Sequence, residues 1–251
     1  MAGQPIRFTV PVMNPCPVCH AHCPAAFVEI ERWSFRKCRQ CAFVYLDPMP
    51  AQSALNTLYV DDRKITGDYY PKARARRQRS LLRALRLLRL VYGKRVLDIG
   101  CGGGFMADAF RLLGARATGI DVNPQAVLYA QQRFPRTTFC HTSFAAYQSS
   151  TPYDFVYSSE VLEHVGELDQ FMALLLRVTQ PGSLVYITTP DIGSDQVPAD
   201  ITRWDVFSPP HHVQFFQEHN LDLLFRAHGF TAVKRFPDAK AGLKMLFRRD
   251  A

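Results

Sequence analysis

The chain of 251 residues has no apolar run near the ~20 residues that a helix needs to cross a bilayer, which argues against a membrane span. Its first residues, Met-Ala-Gly-Gln-Pro-Ile-Arg, lack the apolar core of a secretory signal peptide. The seven cysteines are odd in number and two pairs have metal-ligand spacing, so a disulfide framework is not expected. These absences predict a cytoplasmic protein with one sizeable core.

Acidic residues are missing from positions 70–96, which carry ten basic residues. This segment accounts for the net charge of +8, because the rest of the chain has 20 basic and 22 acidic residues. We predict a basic linker helix within residues 61–92, with arginines on its solvated face. A surface for an anionic substrate or a nucleic acid stays open as the alternative. The buried stripe is expected to consist of Leu81, Leu82, Leu85, Leu88 and Val91, or their neighbours.

The most informative motif, Val-Leu-Asp-Ile-Gly-Cys-Gly-Gly-Gly, occupies residues 96–104. Its apolar residues are typical of a buried parallel strand, and its glycines allow a tight turn into a helix and close approach of a ligand. A second strand over residues 117–121 ends in Asp121, whose carboxylate can bind both hydroxyls of a ribose. Strand, glycine turn, helix, strand and acid together predict a nucleoside-cofactor site.

The turn does not fit a dinucleotide. The sixth position counted from Gly100 is Phe105, where that fingerprint needs glycine or alanine. Asp98 closes the first strand, and its carboxylate would repel a pyrophosphate but suits a cationic ligand. S-adenosylmethionine has a sulfonium, an amino group and a ribose, and no phosphate. The motif from Asp98 to Gly104 resembles the first motif of class I S-adenosylmethionine-dependent methyltransferases.

This resemblance implies a doubly wound, Rossmann-like α/β sheet with an antiparallel final strand in residues 93–251. The hydrophobic pattern predicts helices near 104–114, 124–133, 167–179 and 218–228. Strands are expected near 95–99, 117–121, 138–141, 154–159, 184–189, 231–236 and 243–248. The crevice beyond the carboxyl ends of these strands should hold the cofactor. The expected cofactor-binding residues are Asp98, Gly100, Cys101, Gly102, Asp121, Val122, Ser143, Ser159 and Glu160. An acid is more common in the family at the adenine edge, near Ser143.

Residues 1–60 have the pattern of a small zinc ribbon. The pairs Cys16/Cys19 and Cys38/Cys41 are separated by 18 residues, a spacing that suits structural zinc held by four thiolates. The stretch 27–35 between the pairs alternates like a strand. Other potential donors are Cys23, His20 and His22. The phrase Cys-Ala-Phe-Val-Tyr-Leu-Asp-Pro from residue 41 resembles a bacterial group of ribbon-bearing methyltransferases, which implies a small-molecule acceptor. Ribosomal guanine methyltransferases can begin with a zinc module similar to residues 16–20.

The fourth strand of the sheet runs into Glu-x-x-Glu-His at residues 160–164. This sequence resembles the same strand end in O-methyltransferases of ubiquinone precursors and in small-RNA 2′-O-methylases, where such residues bind a divalent metal. The resemblance implies Mg²⁺ or another divalent ion held by Glu160, Glu163, His164 and either His211 or His212. In the alternative, Glu163 and His164 only begin a helix. The Asn/Asp-Pro-Pro-aromatic motif of base-amino methylases is absent at this place.

A hydroxyl acceptor needs a base, and histidine titrates near neutrality. The candidate catalytic residues are therefore His164, His211 and His212. The long connection 191–216 has the length of a lid. Candidate walls for an apolar acceptor are Tyr69, Tyr70, Trp204, Phe207 and Phe215.

The sequence thus predicts methyl transfer to a small molecule, at a hydroxyl oxygen. Two alternatives remain at this point. An RNA methyltransferase would use the ribbon and the arginine-rich helix to dock RNA. A non-catalytic protein would keep the cofactor fold and use the ribbon to dock another protein. Neither the acceptor nor the oligomeric state follows from the sequence.

Overall fold

The N-terminal part of the chain forms a small antiparallel sheet. The structure is a computed structural model that describes residues 14–60, 70 and 72–251. The single strand expected over residues 27–35 is wrong, because the chain reverses at Glu31, which has a left-handed φ of 52°, and forms a hairpin. The elements here are β1 (Pro24–Ile30), β2 (Trp33–Cys38), β3 (Val44–Leu46) and the helix α1 (Gln52–Val60).

The basic segment is helical, as α2 (Ala73–Arg86) and α3 (Leu88–Val91). The predicted stripe is wrong in part, because Leu82 and Leu85 are exposed. The helix is interrupted at Leu87, and its buried face consists of Ala84, Leu87 and Val91, which belong to a core cluster that includes the helix Phe105–Leu112. This tertiary packing, which the sequence pattern does not contain, sets the rotation of the helix.

The central sheet has seven strands, and its five parallel strands alternate with helices as expected. The order across the sheet is β10-β11-β8-β7-β4-β5-β6, and β11 runs antiparallel to β8. Along the chain the elements are β4 (Arg95–Ile99), α4 (Phe105–Leu112), β5 (Arg116–Asp121), α5 (Pro124–Arg133), β6 (Thr138–His141), β7 (Phe155–Ser159), α6 (Leu168–Val178), β8 (Leu184–Pro190), β9 (Gln214–Phe215), α7 (Glu218–Ala227), β10 (Phe230–Arg235) and β11 (Gly242–Arg249).

Helices cover both faces of this sheet. Helices α2, α4 and α5 pack on one side, around Phe110 and Phe155. Helices α6 and α7 pack on the other, around Phe171 and Phe225. The strand order reverses between β4 and β7, which is the position where open α/β sheets bind their ligands.

Local sequence explains several boundaries. Asn123 caps α5 because its side chain accepts the backbone N–H groups of Gln125 and Ala126, and Pro124 takes the first helical position. Helix α7 is followed by Gly229, whose φ of 75° suits a glycine stop. None of the described helices has the length and hydropathy to cross a membrane.

The connection 191–216 joins the two sheets. Its end, β9, pairs with β3 in the small sheet, through Val44 with Phe215 and Tyr45 with Gln214. Phe207 and Phe215 are buried in a cluster with Phe35, so they pack rather than line an acceptor site. Trp204 belongs to the same cluster and also lines a cavity of about 990 Å³. Tyr69 lies outside the described residues.

Candidate functional site

The glycine turn after β4 is shaped by close contacts. Gly100 and Gly104 have φ of 71° and 76°, in the left-handed region. A Cβ on Gly100 would collide with a methyl group of Val161, and one on Gly104 would lie 2.5 Å from the Phe139 ring. Both positions therefore need glycine, and the backbone of the turn stays open on its other side.

The Asp121 side chain holds the glycine turn in place through hydrogen bonds to the backbone. Its carboxylate accepts the backbone N–H of Gly102 through Oδ2, at 2.8 Å, and that of Asn123 through Oδ1, at 2.8 Å. Each oxygen retains a further lone pair for a ligand hydroxyl. Burial raises the pKa of Asp121, and these backbone bonds oppose that shift.

Asp98 lies between the turn and the sheet, 3% exposed. Burial, followed by the charge of Asp121, raises its pKa to about 8. Within the described part of the chain, its Oδ2 has no hydrogen-bond partner. A buried carboxylate that lacks a full set of partners favours a cationic group beside it.

Sequence reasoning placed Tyr70 with the acceptor, whereas the structure places it on the cofactor turn. Its ring lies 2.5 Å from the position that a Cβ on Gly103 would take, and it packs on Phe105 and Tyr129. A cavity of about 510 Å³ adjoins this turn. Its walls include Asp98, Gly100, Cys101, Gly102, Tyr70, Ser159, Glu160 and the arginines Arg76, Arg79 and Arg83 of α2.

A second cavity, of about 240 Å³, lies beyond the end of β5. Val122, Ser143 and Phe144 form one wall, at the place expected for an adenine edge. The opposite wall includes Gln52 and Asn56 of α1, which the sequence did not connect with this site. Gln52 is anchored there, since its Oε1 accepts the backbone N–H of Gly166 at 2.8 Å.

Glu163, His164 and His212 form a compact group at the end of β7. One ligand atom from each lies within 4.8 Å of the others. Glu163 is 0% exposed, and its Oε2 accepts the hydroxyl of Thr189 at 2.9 Å. Among the described residues, its Oε1 has no hydrogen-bond partner and lies 3.7 Å from His164 Nε2.

The two imidazoles are oriented by backbone carbonyls. Nδ1 of His164 lies 2.6 Å from the oxygen of His211, and Nδ1 of His212 lies 2.5 Å from that of Val206. Donation from Nδ1 leaves Nε2 as the metal-binding or proton-accepting atom, the usual arrangement of ligating histidines. Burial lowers the pKa of His164 to about 4 and also lowers that of His212. Burial, and then Glu160, raises the pKa of Glu163.

Two other predicted residues lie beside this group, outside the three whose ligand atoms lie within 4.8 Å of one another. Glu160 has an exposed side chain with a left-handed φ of 56°, and its Oε1 accepts the hydroxyl of Thr188 at 2.7 Å. Thr188 also contacts the hydroxyl of Ser159, at 2.7 Å. The His211 side chain is exposed, and its backbone oxygen faces His164.

The four cysteines of the ribbon converge. The Sγ atoms of Cys16, Cys19, Cys38 and Cys41 all lie within 4.8 Å of one another. The pairs Cys16–Cys41 and Cys19–Cys38 are each 3.5 Å apart, near the ~3.8 Å edge of a tetrahedron with Zn–S bonds of ~2.3 Å. The donor set therefore fits zinc. Cys23 Sγ lies 4.0 Å from that of Cys38, next to the cluster.

The ribbon is connected to the Glu163 group by backbone hydrogen bonds. Leu46 N–H donates to the oxygen of Val213 at 2.9 Å, and Val213 N–H donates to that of Glu163 at 2.9 Å. The buried Gln214 side chain donates to the oxygens of Leu162 and Val165, each at 2.7 Å. His212 thus lies two residues before β9, the strand that pairs with the ribbon.

A larger cavity, of about 990 Å³, opens beside the cofactor turn. It lies between α2, the ends of β7 and β8, and the connection 191–216. It shares Arg83, Ser159 and Glu160 with the cavity at the glycine turn. The two cavities therefore meet beside Glu160.

The strand order, the antiparallel last strands and the glycine turn followed by Asp121 define a Rossmann-like methyltransferase fold. The sequence profile of the methyltransferase domain family matches residues 72–235, and the chain belongs to this family.

Curated relatives match over part of the chain. The mitochondrial ubiquinone biosynthesis O-methyltransferase of Schizosaccharomyces pombe is 34% identical over 104 residues, covering 39% of this chain and 38% of that protein. The ubiquinone biosynthesis O-methyltransferase of Vibrio cholerae is 33% identical over 105 residues, covering 39% of this chain and 43% of that protein. The matched region thus spans about two fifths of these relatives.

Solved structures share the fold at low identity. Magnesium protoporphyrin IX methyltransferase from Synechocystis, with bound S-adenosylhomocysteine, has a TM-score of 0.62 at 17% identity and covers 80% of this chain and 100% of its own. The 1,6-didemethyltoxoflavin-N1-methyltransferase of Burkholderia thailandensis has a TM-score of 0.56 at 20% identity, covering 91% and 100%. These likenesses support the fold predicted from the sequence.

Proposed function

We propose that the protein transfers a methyl group from S-adenosylmethionine to a hydroxyl oxygen of a small molecule. The observation that carries this proposal is the junction of two cavities beside Glu160, one at the glycine turn and one large enough for an acceptor. The Glu163 group lies directly after this junction in the chain. The named activity of the ubiquinone biosynthesis relatives supports transfer to oxygen.

The methyl donor would lie along the carboxyl edge of the sheet. Asp121 offers its remaining lone pairs to the ribose hydroxyls, and Asp98 faces the cationic amino group. Val122 and Ser143 line the cavity that suits the adenine. Because methyl transfer is an in-line displacement, the protein contributes mainly the position of the donor and the acceptor.

Glu163, His164 and His212 would hold the acceptor oxygen in its reactive form. The group fits a divalent metal, since it combines a buried carboxylate oxygen that lacks a hydrogen-bond partner among the described residues with imidazoles fixed through Nδ1. Such an ion supplies a lower pKa for a bound hydroxyl. Glu160 flanks the same group and is retained as a proposed ligand. His164 or His212 accepts the hydroxyl proton where no metal is bound, and His211 positions His164 through its backbone oxygen.

Zinc at the four cysteines has a structural role in this proposal. Four thiolates leave no coordination position for a substrate. Zinc binding stabilises a module whose core is otherwise small.

The first test is calorimetric titration of the purified protein with S-adenosylhomocysteine, followed by Mn²⁺ titration of that complex. We expect cofactor binding at micromolar concentration and a Mn²⁺ site that Glu163→Gln removes. Glu29→Gln, an exposed acid of the ribbon, is the matched control and should keep the site. Methyl transfer from labelled S-adenosylmethionine to hydroxylated small molecules then tests the reaction. Absence of S-adenosylhomocysteine binding would refute the proposed function. A Mn²⁺ site unaffected by Glu163→Gln would refute the metal assignment alone.

A further inference from the structure

The basic helix α2 contributes directly to the large cavity. Arg83 and Arg86, spaced by three residues, both line it. Positions 70–96 are the source of the positive net charge, and both arginines are exposed side chains that line this cavity. Arg83 Nη1 lies 3.3 Å from the hydroxyl of Tyr157 in β7.

The cavity has more basic than acidic side chains. Five basic and three acidic residues line it. One of the acids, Asp238, already forms an ion pair with Lys244, at 3.1 Å. Within the described residues, neither Arg83 nor Arg86 forms an ion pair, although the carboxylate of Glu160 lines the same cavity. Positive charge therefore predominates along the α2 side.

Negative charge lies at the other end of the large cavity, beside its junction with the cofactor cavity. Glu160 is located there, next to Glu163 in the proposed reactive group. A molecule in the cavity would meet the carboxylate of Glu160 at one end and two guanidinium groups along the α2 wall. This polarity suits an acceptor whose hydroxyl and whose anionic group lie at different positions.

Between these ends the walls are aromatic. Tyr186 and Phe236 line this cavity and meet edge-on with ring centroids 5.4 Å apart, and the buried Tyr157 stacks on Tyr186 at 5.5 Å. Trp204 and Val206 of the connection 191–216 line the same cavity. Planar and apolar surfaces of this kind favour an unsaturated or aromatic body for the ligand.

We infer that the acceptor carries a carboxylate or phosphate group, which Arg83 and Arg86 bind while its hydroxyl lies beside Glu160. This inference rests on the proposed function, because it concerns the acceptor of that reaction. Guanidinium groups bind both oxyanions through paired N–H donors.

A small molecule fits this arrangement better than RNA. The two arginines are exposed, and they line a concave space of about 990 Å³ that the connection 191–216 borders on another side. RNA binding would instead use the exposed arginines of the whole helix and respond to any of them. Substitutions at different positions of the helix therefore distinguish the two ligand classes.

The test compares matched acceptor probes on the S-adenosylhomocysteine complex of the full chain. One pair is caffeate and caffeyl alcohol, which differ in a carboxylate, and the other is pyridoxine 5′-phosphate and pyridoxine, which differ in a phosphate. Calorimetry gives each dissociation constant for the wild type, Arg86→Gln, Arg86→Lys and Arg89→Gln. Arg89 is the control, because it is exposed on α3 and does not line the cavity.

We expect the anionic member of at least one pair to bind about tenfold more tightly than its neutral partner, as for one charge-assisted contact. The pair that shows the preference identifies carboxylate or phosphate. Arg86→Gln should remove the preference, Arg86→Lys should keep part of it, and Arg89→Gln should leave it unchanged. S-adenosylhomocysteine should bind equally to all four proteins.

Three results would overturn the inference: equal binding of both members in both pairs, no binding of either anionic probe at millimolar concentration, or equal effects of Arg86→Gln and Arg89→Gln. A single-stranded RNA oligomer that binds more tightly than the probes, and is weakened alike by both substitutions, would favour the RNA ligand. If S-adenosylhomocysteine itself fails to bind the wild type, the proposed function fails as well. If it binds normally, only the inference about the acceptor is lost.

Discussion

Asp98 should make cofactor binding strongly dependent on pH. Its pKa of about 8 means that only about 9% of the free protein has an ionised Asp98 at pH 7, and about 1% at pH 6. If the ammonium group of S-adenosylhomocysteine binds the ionised form, the apparent affinity is reduced by that fraction. Affinity should therefore rise about 50-fold between pH 6 and pH 8, and level off above pH 8.

The titratable neighbours of Asp98 would not produce the same dependence of cofactor affinity on pH. Burial raises the pKa values of Cys101 and Tyr157 further above neutrality, so both stay uncharged from pH 6 to pH 8. Burial also raises the pKa of Asp121. Asp98→Asn separates the two acids, since it removes the titration of Asp98 and leaves Asp121 in place.

Calorimetry at pH 6, 7 and 8 gives the required measurement. In buffers of different ionisation enthalpy, binding at pH 7 should release about 0.9 proton per molecule in the wild type and far less in Asp98→Asn. Asp154→Asn is the matched control, because Asp154 lies before β7, at the opposite edge of the sheet, and accepts the backbone N–H of Arg95. A wild-type affinity that changes less than about threefold over this range would refute the role of Asp98.

The raised pKa of Asp98 also makes the stability of the folded protein depend on pH. Because the folded pKa of Asp98 lies above the unfolded value of 3.8, the folded state binds more protons between these values. The contribution of Asp98 is therefore complete below about pH 4 and is lost as the pH rises through about 8. Bound S-adenosylhomocysteine should offset this loss, because its ammonium group favours the ionised carboxylate.

Three further predictions concern the turn and the ribbon. Asp121→Ala should weaken S-adenosylhomocysteine binding by about 1–3 kcal/mol in calorimetry, through lost hydrogen bonds, and unchanged affinity would contradict the ribose role. Gly104→Ala should lower the free energy of unfolding in urea by about 2–4 kcal/mol, because left-handed strain adds to a steric clash. Gly182→Ala is the control, because Gly182 has a φ of 85° and no atom lies within 4 Å of the added Cβ. This variant should lose only the strain contribution, about 1–2 kcal/mol. Cys38→Ser should abolish zinc in elemental analysis whereas Cys23→Ser should keep it, and a full zinc load in Cys38→Ser would exclude the four-cysteine site.

Local sequence patterns were sufficient to predict the part of the central sheet that holds the glycine turn. The apolar run before Gly100 and the acid at Asp121 depend on neighbours in sequence, so β4, β5 and the turn between them could be predicted from the sequence alone. The cysteine spacing likewise predicted which four thiols come together. These features share one property, since each is determined within about 25 residues of chain.

Features set by distant contacts could not be predicted in this way. The rotation of α2 depends on the packing of Ala84 in the core with α4, so the periodicity of the sequence did not reveal that Leu82 and Leu85 are exposed. Tyr70 reaches the glycine turn through packing with Phe105 and Tyr129, which no local pattern encodes. The pairing of β9 with β3 joins segments about 170 residues apart.

The pairing of β9 with β3 indicates that the ribbon supports the neighbouring Glu163 group as well as binding a metal. A docking module could be attached to the chain by a linker alone, yet β3 supplies a hydrogen-bonded neighbour to the strand that follows His212. Asn220 adds a buried contact, because its side chain donates to the backbone oxygen of Cys41 at 3.0 Å. Holding a reactive group within a fraction of an ångström requires rigid support of this kind. The free energy that a metal contributes at the four cysteines would therefore stabilise the position of His212 as well as the ribbon itself.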